Sequence, residues 1–354
     1  MAKISRLVLV TDAWHPQVNG VVTTLTHLVD LARHQGIEVD VIQPQNYSTI
    51  PMPFYKEISL VWRAPHLEER LLNFQPDAIH IATEGPLGWR VRQLAQKFNW
   101  PFTTGYHTKF PEYVHKRAKW IPESWGYNLL KRFHRPATKT FVPAPSIKQE
   151  LEDKGFQELT VMSRGVNRET FNPNQAQPMK FAKPIYLYVG RIAAEKNIRA
   201  FLDIPLKGSK VIVGKGPELE ALKKSYPEVE FVGAKTGKEL ASFYASADVM
   251  VFPSLTDTFG VVNIEAIACG TPVAAYPVTG PKDIITEGLN GALDNDLEKA
   301  IHRALLLKGT HLERTIPQFT WDSACEQFLH NLALINAATE SNMLRTNSRA
   351  IESS

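Results

Sequence analysis

The stretch Phe252-Pro-Ser-Leu-Thr-Asp257-Thr-Phe-Gly260-Val-Val-Asn-Ile-Glu265-Ala-Ile-Ala-Cys-Gly270-Thr-Pro-Val273 contains one complete strand-to-helix-to-strand passage. It reads as the end of a strand, a polar loop, a helix opening near Gly260, a glycine C-cap at Gly270 and the start of a further strand. Amides at Phe259, Gly260 and Val261 would be exposed at the helix N-terminus. Such an end binds anions, and a residue without Cβ lets the backbone approach a diphosphate. Asp257 lies in the loop and Glu265 eight residues later, in the second helical turn. Two acceptors so placed can hold two sugar rings on either side of one diphosphate. The pair taken alone also fits a loop-capping Asp257 and a solvated Glu265.

Outward from this stretch the same alternation repeats. Ile185–Val189, Lys210–Val213, Val229–Val232, Val249–Phe252 and Pro272–Ala275 are short apolar runs of buried-strand type. Helices are expected at Pro217–Ser225, Thr236–Ala247, Val261–Cys269 and Leu297–Leu307. The first half starts with the strand Arg6–Thr11, a Pro/Asn/Gly loop, a helix over Val21–Arg33 closed by Gly36, and a strand at Glu38–Ile42. Asp77–Ile81, Pro101–Thr104 and Thr140–Val142 continue as strands, with a helix over Leu87–Phe98. The expected architecture is α/β: two doubly wound parallel-sheet domains, at 1–171 and 185–318, facing across a cleft, with 172–184 as linker. A final helix, within 319–338, packs back on the first domain, and the polar tail over 339–354 is read as mobile.

Composition agrees with this and excludes other classes. A chain of 354 residues with 44% hydrophobic and 21% charged residues has material for two cores and is not of disordered type. Cys269 and Cys325 are too few and too far apart for a disulfide framework or a zinc site, which suits a reducing cytoplasm. The apolar run at the N-terminus is too short for a signal-peptide core, and no run of about 18 apolar residues exists to span a bilayer.

The long motif around Asp257 and Glu265 resembles that of the retaining glycosyltransferases of family GT4, which have the GT-B fold. In that family a Glu, seven residues and a second Glu sit within P-S-x-x-E-x-F-G-x-x-x-x-E-A-x-A-x-G-x-P-V; here Asp257 replaces the first Glu. The resemblance, which runs from about residue 5 to 335, implies Glu265 on the nucleotide ribose and Asp257 on the transferred sugar. Tyr188-Val-Gly-Arg191-Ile-Ala-Ala-Glu-Lys196-Asn197 is similar to the family's V-G-R-x-x-x-E-K-N loop and implies that Arg191 and Lys196 clamp the donor diphosphate. Two cations beside a cleft would neutralise charge on a leaving nucleoside diphosphate. Gly214-Lys-Gly216-Pro217 resembles a turn of the family and is read as architectural.

In the first half, Asn19-Gly20 resembles the family's Gly loop that meets the donor, and His107, in Tyr106-His-Thr-Lys109, matches a histidine lining the reaction centre of lipid-glycosylating relatives. Glu84 and Arg164 are acceptor-side candidates. Asp294-Asn-Asp296 spells a metal-binding D-x-D, but its position favours Asp296 as a helix N-cap, so no metal is expected.

Residues 1–176 carry 21 Lys and Arg against 16 Asp and Glu, and 109–139 alone hold eight cations against two acids. Phe110, Tyr113, Trp120, Trp125, Tyr127 and Phe133 are interleaved with them. Basic and aromatic residues together suit an anionic membrane surface; a solvated face is the plainer reading, and no motif points to nucleic acid. The expected activity is transfer of a glucose- or mannose-type hexose from a UDP- or GDP-sugar to a hydroxyl acceptor such as diacylglycerol or a glycolipid. An epimerase of nucleotide sugars, a silent sugar-nucleotide sensor and a transferase for soluble sugars are the alternatives. The expected location is cytoplasmic, with peripheral attachment to the inner face of the plasma membrane as an option; oligomeric state stays open.

Overall fold

The computed structural model describes residues 4–17, 19–52, 55–117, 120 and 122–335. The first half runs β1 (Arg6–Val10), α1 (Gly20–His34), β2 (Glu38–Ile42), β3 (Ser48–Met52), β4 (Tyr55–Arg63), α2 (Leu67–Phe74), β5 (Ala78–Ile81), α3 (Pro86–Lys97), β6 (Thr103–Gly105), α4 (Phe110–Arg117), α5 (Glu123–His134), β7 (Lys139–Val142), α6 (Pro145–Asp153) and β8 (Leu159–Val161). Six of these strands form a parallel sheet in the order β2-β1-β5-β6-β7-β8. The sheet is covered on both faces, which is why β1 is a continuous apolar run after Arg6 and β5 is buried at every position, His80 included. The antiparallel pair β3–β4 stands outside it.

The second half runs β9 (Ile185–Val189), α7 (Ile198–Leu202), β10 (Ser209–Val213), α8 (Leu219–Ser225), β11 (Glu230–Gly233), α9 (Gly237–Ser246), β12 (Val249–Phe252), α10 (Val261–Ala268), β13 (Val273–Ala275), α11 (Pro281–Ile284), β14 (Gly291–Leu293), α12 (Leu297–Leu305) and α13 (Trp321–His330). Its sheet is also parallel and six-stranded, in the order β11-β10-β9-β12-β13-β14. The expected α/β architecture of two doubly wound sheets is what the chain adopts.

The last helix packs on the first half: Trp321 stacks on His27 of α1, ring centroids 4.3 Å apart, and Cys325 and Phe328 join Leu25 and Leu28 in one core. It is shorter than 319–338. Capped by Thr320, it ends at His330; the chain then extends so that Leu334 bridges Ala78 and Ile335 N–H donates to Asp77 O. The tail over 339–354 lies outside the described residues.

The basic stretch is not one surface. Lys109 is buried against Glu150, Lys139 Nζ donates to Asn331, and Tyr127 and Phe133 are core residues rather than surface aromatics. The period of α5 explains the split. Tyr127, Leu130, Phe133 and His134 face inward, while Trp125, Leu129 and Arg132 stand three and four residues apart on the outer side. Trp120 and Trp125 are 80% and 68% exposed. The side chains of Lys116, Arg117 and Lys119 lie outside the described residues.

Candidate active site

The loops that follow β6 and β12 meet across the two halves, Thr258 Oγ1 donating to His107 O, and they lie at the carboxyl ends of parallel strands, the position where ligands bind in folds of this kind. In the second sheet the loop after β9 carries Arg191 and Lys196. It nests on the loop after β10: a Cβ on Gly214 would fall 1.9 Å from Gly190 O, so the glycine serves the approach of two backbones. Lys196 closes a 3-10 turn over Ala194–Lys196. Asn197 then turns into the left-handed region and donates its side-chain amide to Pro253 O at 3.1 Å, tying this loop to the one after β12.

That tie brings Lys196 Nζ to 2.5 Å from Asp257 Oδ1. Arg191 Nη1 stands 3.7 Å from the buried Glu195 carboxylate. Each of these two cations therefore has an acid beside it. The other Asp257 oxygen is buried without a hydrogen-bond partner, as is Ser254 Oγ in the same loop, so both have capacity for a ligand.

Gly260, with φ of +86°, is the N-cap of α10, and no side chain caps that helix end. Its first amides keep their donor capacity for an anion. Glu265 lies one turn on, where its carboxylate accepts from Tyr244 Oη at 2.9 Å. Burial pushes the Glu265 carboxyl up to about 7, only partly opposed by that hydrogen bond. Asn263 is fully buried with both side-chain polar atoms unpaired.

From the first sheet, His107 follows β6 and meets this loop directly, its backbone carbonyl accepting from Thr258 Oγ1 at 2.7 Å. Arg164 Nη2 lies 2.9 Å from His107 Nδ1 and its Nη1 donates to the carbonyls of Met162 and Ser163. Burial draws the Arg164 guanidinium down to about 9, and it remains a cation at neutral pH. Glu84 has a partner within the first half: its carboxylate meets His134 Nε2 at 3.2 Å, and His134 Nδ1 meets Thr104 Oγ1. Asn19 caps α1 by accepting from the amides of Val21 and Val22, and Gly20 has open space where a Cβ would stand.

Thus His107, Arg164, Asp257, Lys196, Arg191 and the α10 terminus share one neighbourhood, whereas Glu84 and Asn19 already have structural partners. Sequence reasoning passed over Lys109 and Tyr113. Lys109 Nζ bridges Glu150 and Thr279 Oγ1 of the second half, and the buried Tyr113 feels the charges of Lys196 and Asp257. Their signal was present in Tyr106-His-Thr-Lys-Phe-Pro-Glu-Tyr113, where the last tyrosine lies one helical turn beyond Lys109. Asp296 N-caps α12, accepting from Glu298 and Lys299 amides, and Asp294 pairs with Arg303.

Residues 18–170 match the family model described as Glycosyltransferase Family 4, and 183–307 match Glycosyl transferases group 1. A GDP-mannose-dependent alpha-mannosyltransferase of Mycobacterium tuberculosis is 30% identical over 81% of this chain and 83% of its own. The alpha-monoglucosyldiacylglycerol synthase of Streptococcus pneumoniae is 28% identical over 91% and 83%. Among solved structures, sucrose-phosphate synthase from Thermosynechococcus elongatus superposes with a TM-score of 0.71 at 24% identity, covering 92% of this chain and 97% of that one. The chain belongs to glycosyltransferase family 4 and is a GT-B glycosyltransferase.

Proposed function

We propose that the enzyme moves a hexose of glucose or mannose type from a nucleoside diphosphate sugar to a hydroxyl of a membrane lipid, diacylglycerol or a glycolipid, with retention at the anomeric carbon. The observation that carries this reading is the meeting of Lys196–Asp257, Arg191–Glu195 and the uncapped start of α10 in one crevice. The relatives whose names specify a GDP-mannose donor and a diacylglycerol product match over most of their length.

In the proposed reaction the bond from the anomeric carbon to the β-phosphate oxygen breaks as the bond to the acceptor oxygen forms on the same face. The acceptor proton passes to the departing phosphate oxygen, so no protein base is needed. Arg191, Lys196 and the α10 amides absorb the charge on the leaving diphosphate, in a site already arranged for it. Glu265 takes the ribose diol, Asp257 and His107 the hexose, and the α10 start with Gly260 the phosphates. Asn19 and Gly20 belong to the donor side only if the α1 start opens; Glu84 and Arg164 stand on the acceptor side. No metal enters the scheme.

No described helix is long and apolar enough to cross a membrane. Contact with lipid would come through the outer side of α5, where Trp125, Leu129 and Arg132 are exposed, and through Trp120 before it. Aromatic and aliphatic groups enter the headgroup region while each cation near an anionic surface contributes about 1 kcal/mol. Two measurements test the reading: thermal shift with UDP-, GDP- and ADP-sugars, and co-sedimentation with vesicles of increasing anionic lipid. One sugar nucleotide should stabilise the protein by mass action, and pelleting should rise with anionic lipid and fall with salt. No shift with any donor would remove the transferase reading; no pelleting at low salt would move the acceptor to soluble sugars.

A further inference from the structure

The contact between Arg164 and His107 has a chemical consequence. A guanidinium carries only donors, so Arg164 Nη2 at 2.9 Å from His107 Nδ1 requires that Nδ1 offer its lone pair. The imidazole proton is then on Nε2, and a second proton on Nδ1 would point at a buried cation. We infer that Arg164 is a positioning residue that fixes His107 as a neutral imidazole with the proton on Nε2, and not a proton acceptor.

Three further observations fit. His107 Nε2 is buried and has no hydrogen-bond partner among the described residues, so no neighbouring donor claims a lone pair there and the proton can sit on that nitrogen. The ring lies over Gly105 at the end of β6, where a Cβ would come to 2.6 Å from Nε2, so the sequence keeps that place clear for the ring. The groups around the ring also favour neutrality. Burial first, then Arg164, His80 and His134, hold His107 well below the ordinary histidine value. Glu84 is bound to His134. An imidazole so held cannot take the acceptor proton, which agrees with proton transfer to the leaving phosphate.

The inference rests on the proposed transfer reaction for its effect on turnover, but its core is testable without substrate. Long-range proton–nitrogen NMR of the ligand-free enzyme should show His107 as the Nε2–H form, with no titration between about pH 5 and 8. Arg164→Met should release the ring into mixed tautomers or let it titrate, and lower kcat about tenfold or more with the donor KM changed far less. Arg164→Lys, which restores a single donor, should recover part of both. A proton on Nδ1, or a mid-range titration, in the wild-type protein would overturn the assignment even if no variant folds. Unchanged kcat in a folded Arg164→Met would overturn the positioning role. A failed transfer assay with the expected NMR signature would instead count against the proposed reaction.

Discussion

Lys196 Nζ and Asp257 Oδ1 stand 2.5 Å apart, joining the loop after β9 to the loop after β12. Burial alone would draw the ammonium down, but Asp257, and after it Tyr113 and Tyr188, outweigh burial and hold Lys196 above the ordinary lysine value. The cation is therefore permanent at any working pH. The Asp at this place, where the family motif has Glu, reaches the clamp lysine directly. In the proposed reaction the leaving diphosphate would meet a lysine already aligned by an acid of its own protein.

Removing a clamp cation should act mainly on turnover. Lys196→Met and Arg191→Met are each expected to lower kcat about 100-fold, the order found for loss of one preorganised stabiliser. Steady-state kinetics with a saturating donor checks this, and near wild-type kcat in both variants would dismiss the clamp.

Asp257 and Glu265 should divide their labour. Asp257→Asn is expected to impair transfer while the nucleoside diphosphate still binds, and Asp257→Glu to keep transfer within about tenfold of wild type because one methylene is added and the charge kept. Glu265→Gln should weaken binding of both donor and nucleoside diphosphate. Calorimetric titration of the free diphosphate separates the two roles, and equal losses in Asp257→Asn and Glu265→Gln would contradict them.

Much of the fold was legible because parallel strands covered on both faces are unbroken apolar runs, as in Ile185–Val189 and Val249–Phe252. The β3–β4 hairpin was not, since Pro51 lies within the first strand and no Asn-Gly or Asp-Gly turn joins the pair. The placing of Arg191, Lys196, Asp257 and the α10 start at strand ends was readable from local motifs. Glu84–His134, Lys109–Glu150 and Arg164–His107 pair residues 50, 41 and 57 positions apart, and such contacts depend on strand order rather than spacing. The inward turn of Phe133 was within reach: it falls three residues after Leu130 and six after Tyr127, on the apolar side of α5.

The raised Glu265 carboxyl makes a statement about stability. With its folded value near 7 above the unfolded one, the native state holds the extra proton between about pH 4.5 and 7, and stability is lost as pH rises through that window. Glu265→Gln should therefore melt a few degrees above wild type at pH 8, with the gap closing near pH 5. Differential scanning fluorimetry of the ligand-free proteins reads this, and a gap that widens toward low pH would reverse the sign.

Asp296 is occupied as an N-cap and Asp294 by Arg303. Activity is accordingly expected to persist in excess EDTA. A strict requirement for added Mg²⁺ or Mn²⁺ would reopen a metal site at these residues. Asp296→Ala should instead cost about 1 kcal/mol of stability, the usual loss for an N-cap.

Transfer to lipid tests the account most directly. The enzyme would be incubated with vesicles containing diacylglycerol and anionic lipid, and with UDP-glucose or GDP-mannose labelled in the sugar. The account predicts label in the organic extract with one of these donors, the α-configuration of the product seen by proton NMR, and its loss in Lys196→Met. Label confined to the aqueous phase, as free sugar, an epimerised donor or a soluble glycoside, would contradict the lipid-directed transferase.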